Sequence, residues 1–124
     1  MHLNKFQVIT GTDKDDWFEI NRFKNGDTEI IGYRIKGGKK ADIFHKRRYK
    51  KDVTQDIWIY GLDDDDYFVI NGIAGKRPIK IKIIGGLNND IYEINTPKAV
   101  IVYDYKSKKN TFITNKGKQR LFND

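Results

Sequence analysis

The chain has no cysteine, so neither a disulfide framework nor thiol chemistry is open to it. It has a single serine, Ser107, set in a lysine run, and two histidines, His2 and His45. No Ser–His–Asp arrangement can be assembled from these, and no His-x-His or His-Glu-x-x-His metal-ligand set exists. Only two prolines interrupt the 124 residues, and no stretch carries the apolar period of a helix. Long apolar runs are missing as well. Nothing approaches the ~20 residues of a membrane helix, and Met1 to Thr10 lack the apolar centre of a secretory signal. These absences point to a chain that is not an enzyme and is built from strands.

What is present is a turn that recurs. Gly11-Thr-Asp-Lys-Asp-Asp-Trp-Phe18 returns as Gly61-Leu-Asp-Asp-Asp-Asp-Tyr-Phe68 and as Gly85-Gly-Leu-Asn-Asn-Asp-Ile-Tyr92. A worn copy, Gly37-Gly-Lys-Lys-Ala-Asp-Ile-Phe44, lies between the first two, and a fainter one, Tyr105-Lys-Ser-Lys-Lys-Asn-Thr-Phe112, follows the last. Position six reads Asp16, Asp42, Asp66, Asp90 and Asn110; position eight reads Phe18, Phe44, Phe68, Tyr92 and Phe112. Two residues ahead of each copy stand Ile9, Ile35, Ile59, Ile83 and Tyr103.

The flanks of the turn have strand character. Ile79-Lys-Ile-Lys-Ile83 alternates apolar and charged residues, and Ile57 to Tyr60 and Ala99 to Tyr103 are short β-branched and aromatic runs. Each copy therefore predicts strand, acidic turn, strand, looser turn. The columns of like residues favour a short parallel β-solenoid or β-roll-like stack of about five coils, in which equal positions recur about 4.8 Å apart. Ile9, Ile35, Ile59 and Ile83 with the aromatic column would form its core. The Asn-Gly turns leave an antiparallel sandwich or meander of hairpin repeats as the alternative. Residues 1–112 are expected to be one β-repeat domain and 113–124 a polar, basic tail or linker. A pattern already running at the N-terminus suggests a piece of a longer protein.

The net charge is +7, unevenly spread. Acids crowd the repeated turns, while bases crowd His45 to Lys51, Lys76-Arg77 and Lys106 to Arg120. Such a basic surface suits an anionic lipid or polymer. Nucleic acid is not the partner this pattern points to, because the aromatic residues belong to core columns. Gly37 to Lys40 and Ala74 to Arg77 are glycine-plus-base turns that lead into no helix and so are not P-loops.

Stacked acidic turns raise the question of calcium, which takes six to eight oxygens. The candidate ligands are Asp13, Asp15, Asp16, Asp63, Asp65, Asp66 and Asp90. Against them stands the ordinary role of Asp in turns, as an acceptor for backbone N–H groups. Position four, a glycine in calcium-binding β-rolls, is Lys14, Lys40, Asp64, Asn88 or Lys108.

The blocks Ile57 to Phe68, Ile79 to Tyr92 and Val102 to Phe112, in that order, resemble a segment of large envelope proteins of the Bacteroidetes. Those proteins are similar to calcineurin-like metallophosphoesterases fused to a surface-antigen outer-membrane barrel, and the matching segment lies between enzyme and barrel. The resemblance implies an interdomain β module on the periplasmic face of the outer membrane, with other domains of the parent polypeptide as partners and anionic outer-membrane lipid as a further one. The phosphoesterase's Asp-x-His and Asn-His ligands have no counterpart in this chain and its Gly-Asp occurs only as the isolated pair Gly26-Asp27, so the implication is context and not catalysis. The acidic turns also resemble, more loosely, the RTX-like repeats of calcium-binding β-rolls.

Overall fold

A computed structural model describes residues 5–62, 64–86, 89–105, 111–112 and 118–122. For 104–105, 111–112 and 118–122 only the backbone is considered. The strands are β1 (Phe6–Thr10), β2 (Asp16–Arg22), β3 (Thr28–Lys36), β4 (Lys39–Tyr49), β5 (Asp56–Tyr60), β6 (Tyr67–Gly72), β7 (Lys80–Ile84), β8 (Ile91–Ile94), β9 (Val100–Tyr105), β10 (Thr111–Phe112) and β11 (Lys118–Phe122). They form two open sheets. The first has the order β1-β5-β7-β9-β11 and is parallel throughout. The second has the order β10-β8-β6-β2-β3-β4 and is mixed. β11 lies within the segment expected to be a tail or linker and pairs with β9.

Period-two alternation in β5, β7 and β9 turns Ile57 and Ile59, Ile81 and Ile83, and Val100 and Val102 to the interior. The register aligns Ile9, Ile59, Ile83 and Val102 as one buried row. On the facing sheet Phe18, Phe68 and Tyr92 form one row, and Ile20, Ile70 and Ile94 another. The rings stack nearly parallel, with centroids 5.4 Å apart for Phe18 and Phe68 and 5.3 Å for Phe68 and Tyr92. Burial of these rows, at about 25 cal/mol per Å² of apolar surface, holds the sheets together.

The expected five-coil parallel solenoid does not form, because the sheets are open and the second copy of the repeat is not a coil. Gly37 and Gly38 both adopt positive φ, 59° and 75°, the backbone of a type I′ hairpin turn. β3 and β4 therefore pair antiparallel, closed by Lys36 opposite Lys39, and β3 also runs antiparallel to β2. Ile35 consequently leaves the core column and is only half-buried. Phe44 meets Phe18 edge-on at 82° instead of continuing the stack, its ring lying over Gly32. The antiparallel sandwich or meander is overturned as well, since every other strand pairing is parallel.

The end strands β4 and β1 differ in charge. β4 carries Lys39, Lys40, Lys46, Arg47 and Arg48, the usual charged guard of an edge strand. β1, sequence FQVIT, carries no charge, and Phe6 and Val8 are 63% and 62% exposed.

Candidate functional site at the aspartate turns

Among the described residues, turns carry the chain from the first sheet to the second between β1 and β2, β5 and β6, and β7 and β8. Each begins with a glycine whose N–H donates to the carbonyl of the neighbouring turn's strand: Gly11 to Tyr60, Gly61 to Ile84, Gly85 to Tyr103. The backbone ladder thus fixes the height of each turn before any side chain is placed.

Position six forms an inner column of buried carboxylates, Asp16, Asp66 and Asp90. The Asp16 N–H donates to Oδ1 of Asp66 at 3.0 Å, and the Asp66 N–H donates to Oδ1 of Asp90 at 3.1 Å. Position five forms an exposed outer column running the other way. The Asp65 N–H donates to Oδ1 of Asp15 at 3.0 Å, and the Asn89 N–H to Oδ1 of Asp65 at 3.0 Å. Asp16 ends the inner column, and its oxygens accept from the Thr12 N–H at 2.5 Å and the Thr12 hydroxyl at 2.7 Å. The Arg34 Nε stands 4.0 Å from its Oδ1.

Glycine, acid and aromatic ring form one packing unit. A Cβ on Gly61 would stand 2.8 Å from Oδ2 of Asp66 and 3.0 Å from Cζ of Phe68; on Gly11 it would stand 2.9 Å from Oδ2 of Asp16. The spacing of Gly, Asp and Phe in the repeat follows from this contact. Gly61→Ala is accordingly expected to destabilise by about 1–3 kcal/mol in urea titrations, as overpacking does. At a roomy site the same change stabilises by restricting the unfolded chain, so an unchanged or raised urea midpoint would refute the contact.

Burial of Asp66 raises its pKa to about 9. The Asp16 N–H opposes the shift, while the charges of Asp90, Asp16 and Asp15 add to it. Asp16 is raised in the same direction by burial, against the hydrogen bonds of Thr12 and the charge of Arg34. Asp66 is therefore a neutral acid at pH 7. Its Oδ1 accepts the Asp16 N–H, and its Oδ2 is a buried atom with no hydrogen-bond partner.

Of the calcium candidates, the fold brings Asp16, Asp66 and Asp90 together in one column and Asp15 with Asp65 in the other. Asp13 stands exposed and apart. Asp63 lies outside the described residues. One oxygen of each column aspartate is directed at a backbone N–H group, and no group of three or more acids or histidines among the described residues is arranged to hold a metal. Asp64 takes φ 72°, the left-handed conformation that a glycine would favour at position four. The sequence patterns had not singled out Thr12, Arg34 and Asn89. Only Asn89, at position five below Asp15 and Asp65, left a trace in the repeat.

Of the basic residues, His45 to Arg48 lie on edge strand β4. Tyr49 turns inward, buried, with its hydroxyl 3.1 Å from His45 Nε2 and the Arg47 guanidinium 4.9 Å from its ring centre. Set beside protein-family models, curated proteins and solved structures, the chain matches none.

Proposed function

We propose that the chain is a non-catalytic β-repeat module that serves structure and attachment within a larger cell-envelope polypeptide, at the periplasmic face of an outer membrane. Its functional surface on this view is the free edge of β1, which accepts a strand from a neighbouring domain of the same polypeptide. The observation that carries the reading is the contrast between the edges. β4 is guarded by five bases, whereas β1 is uncharged, ends its sheet among the described strands and exposes Phe6 and Val8. An edge of that kind recruits further strands unless charge blocks it. The acids support the same reading, because the described inner and outer columns hold turns in place.

Sedimentation of the isolated chain tests it. The open edge should cause concentration-dependent association at tens of micromolar, on the scale of weak interfaces. Val8→Lys on the open edge should abolish this, and Ile43→Lys on the guarded strand should leave it intact. A chain that stays monomeric throughout, or association indifferent to Val8→Lys, would remove the basis for an attachment edge.

A further inference from the structure

Arg22 is the only buried cation among the described residues, 2% exposed at the inward-facing end of β2. Its Nη2 donates to the Ile79 carbonyl at 2.5 Å, while Nε and Nη1 are buried without a hydrogen-bond partner. No carboxylate among the described residues forms an ion pair with it. Burial lowers its pKa only to about 10, so it stays charged at neutral pH. Thr28, directly across the β2–β3 ladder and on the same face, has a buried Oγ1 that is also without a partner. Buried polar groups are ordinarily satisfied, and an uncompensated buried charge costs several kcal/mol. With no acceptor on Nε or Nη1, the positive charge of Arg22 stays uncompensated inside the protein.

Ile79 links this charge to the surface. Its carbonyl holds Arg22, and the residue itself lines an open cleft of about 390 Å³. Thr54, Lys51, Arg77 and Lys80 line the same cleft, with Asp56 as its acid. Asp56 lies 3.9 Å from Lys82 Nζ, so its charge is drawn towards that base. The nearby Asp27 is engaged by Arg48 and by the Lys51 N–H. The cleft therefore keeps an excess of positive charge with a further cation behind its wall.

We propose that this end of the molecule binds a phosphate-type oxyanion, held in the cleft by Lys51, Arg77 and Lys80 and attracted by the guanidinium of Arg22 behind Ile79. Tetrahedral oxyanions suit such a set, since charge-assisted hydrogen bonds from Lys and Arg are the strong ones. Free phosphate and a phosphorylated lipid headgroup share this chemistry. The site needs no partner chain.

The test is a titration of the full chain with inorganic phosphate at constant ionic strength, followed by melting and by amide NMR shifts. Expected are a saturable rise in melting temperature, shifts at Arg77 and Lys80, and an affinity at least tenfold weaker in the Arg77→Ala/Lys80→Ala double variant. Arg22→Met should weaken binding similarly and stay folded, because apolar replacement of an uncompensated buried charge is tolerated; should it unfold, the double variant carries the test. A parallel arm uses phosphatidylglycerol vesicles. Retention that free phosphate competes away, and that the double variant loses, assigns the headgroup as source. Phosphate binding without vesicle retention assigns the free ion, and the site stands in either case. An unsaturable or absent phosphate response, or vesicle retention unaffected by the double variant, overturns the site.

Discussion

Replacing Phe68 with alanine is expected to destabilise the fold by about 3–5 kcal/mol, the usual cost of deleting a fully buried ring. Phe68 has no exposed surface and lies between the rings of Phe18 and Tyr92, at 5.4 and 5.3 Å. It also lies beneath Gly61, so the cavity would open under the acidic turn as well as within the core. Backbone pairing on both sides of β6 prevents the sheet from closing over the void. Phe44→Ala should cost clearly less, because that ring is only partly buried and sits at the end of the column. Urea denaturation of the two variants checks both statements. A cost under about 1 kcal/mol for Phe68→Ala would mean that the aromatic column is not the centre of the core.

That column was legible in the sequence for a physical reason. Parallel pairing aligns residues of equal position, so a constant position in the repeat becomes a row of touching side chains, as in Phe18, Phe68 and Tyr92. The second copy shows where such counting stops working. Position in a repeat cannot tell whether the backbone continues to the opposite sheet or folds back, and two glycines at positive φ decided it for Gly37-Gly38. Ile35, aligned with Ile9 and Ile59 on paper, was thereby removed from the core. Arg22 left a signal that charge obscured. The alternation that turns Asp16, Phe18 and Ile20 inward continues to Arg22 without a break. An inward basic residue at the end of a strand is easily taken for a solvated one.

The acid column illustrates the same limit, since a list of aspartates cannot say whether they face a cation or a backbone N–H. Asp66 makes the difference measurable. Its pKa of about 9 lies far above the ordinary carboxylate value of about 3.9, so between these limits the folded chain keeps a proton that the unfolded chain has released. The resulting stability is complete below about pH 4 and is lost as the pH rises through about 9, with a slope of roughly 1.4 kcal/mol per pH unit. Asp16, raised by burial, acts in the same sense. In Asp27, burial is outweighed by the hydrogen bonds of Lys51, Asn25 and Arg48, so that its lowered pKa acts below about pH 4. His45, lowered by burial, opposes Asp66 below about pH 6.5, which leaves pH 7 to 9 as the informative window. In that window the wild-type chain should lose stability steadily, and Asp66→Asn should flatten the dependence. An asparagine carbonyl still accepts the Asp16 N–H, but nothing remains to ionise, so at pH 8 the variant should be more stable by up to about 5 kcal/mol on that slope. A calcium ligand predicts the opposite: the substitution would weaken the fold, and calcium at a hundred times its dissociation constant would add about 2.7 kcal/mol to the wild type. A hydrogen-bonded turn column leaves the melting transition of the wild type unmoved by calcium or chelator. A destabilised Asp66→Asn at pH 8, together with a calcium-dependent rise, would return these aspartates to the role of metal ligands.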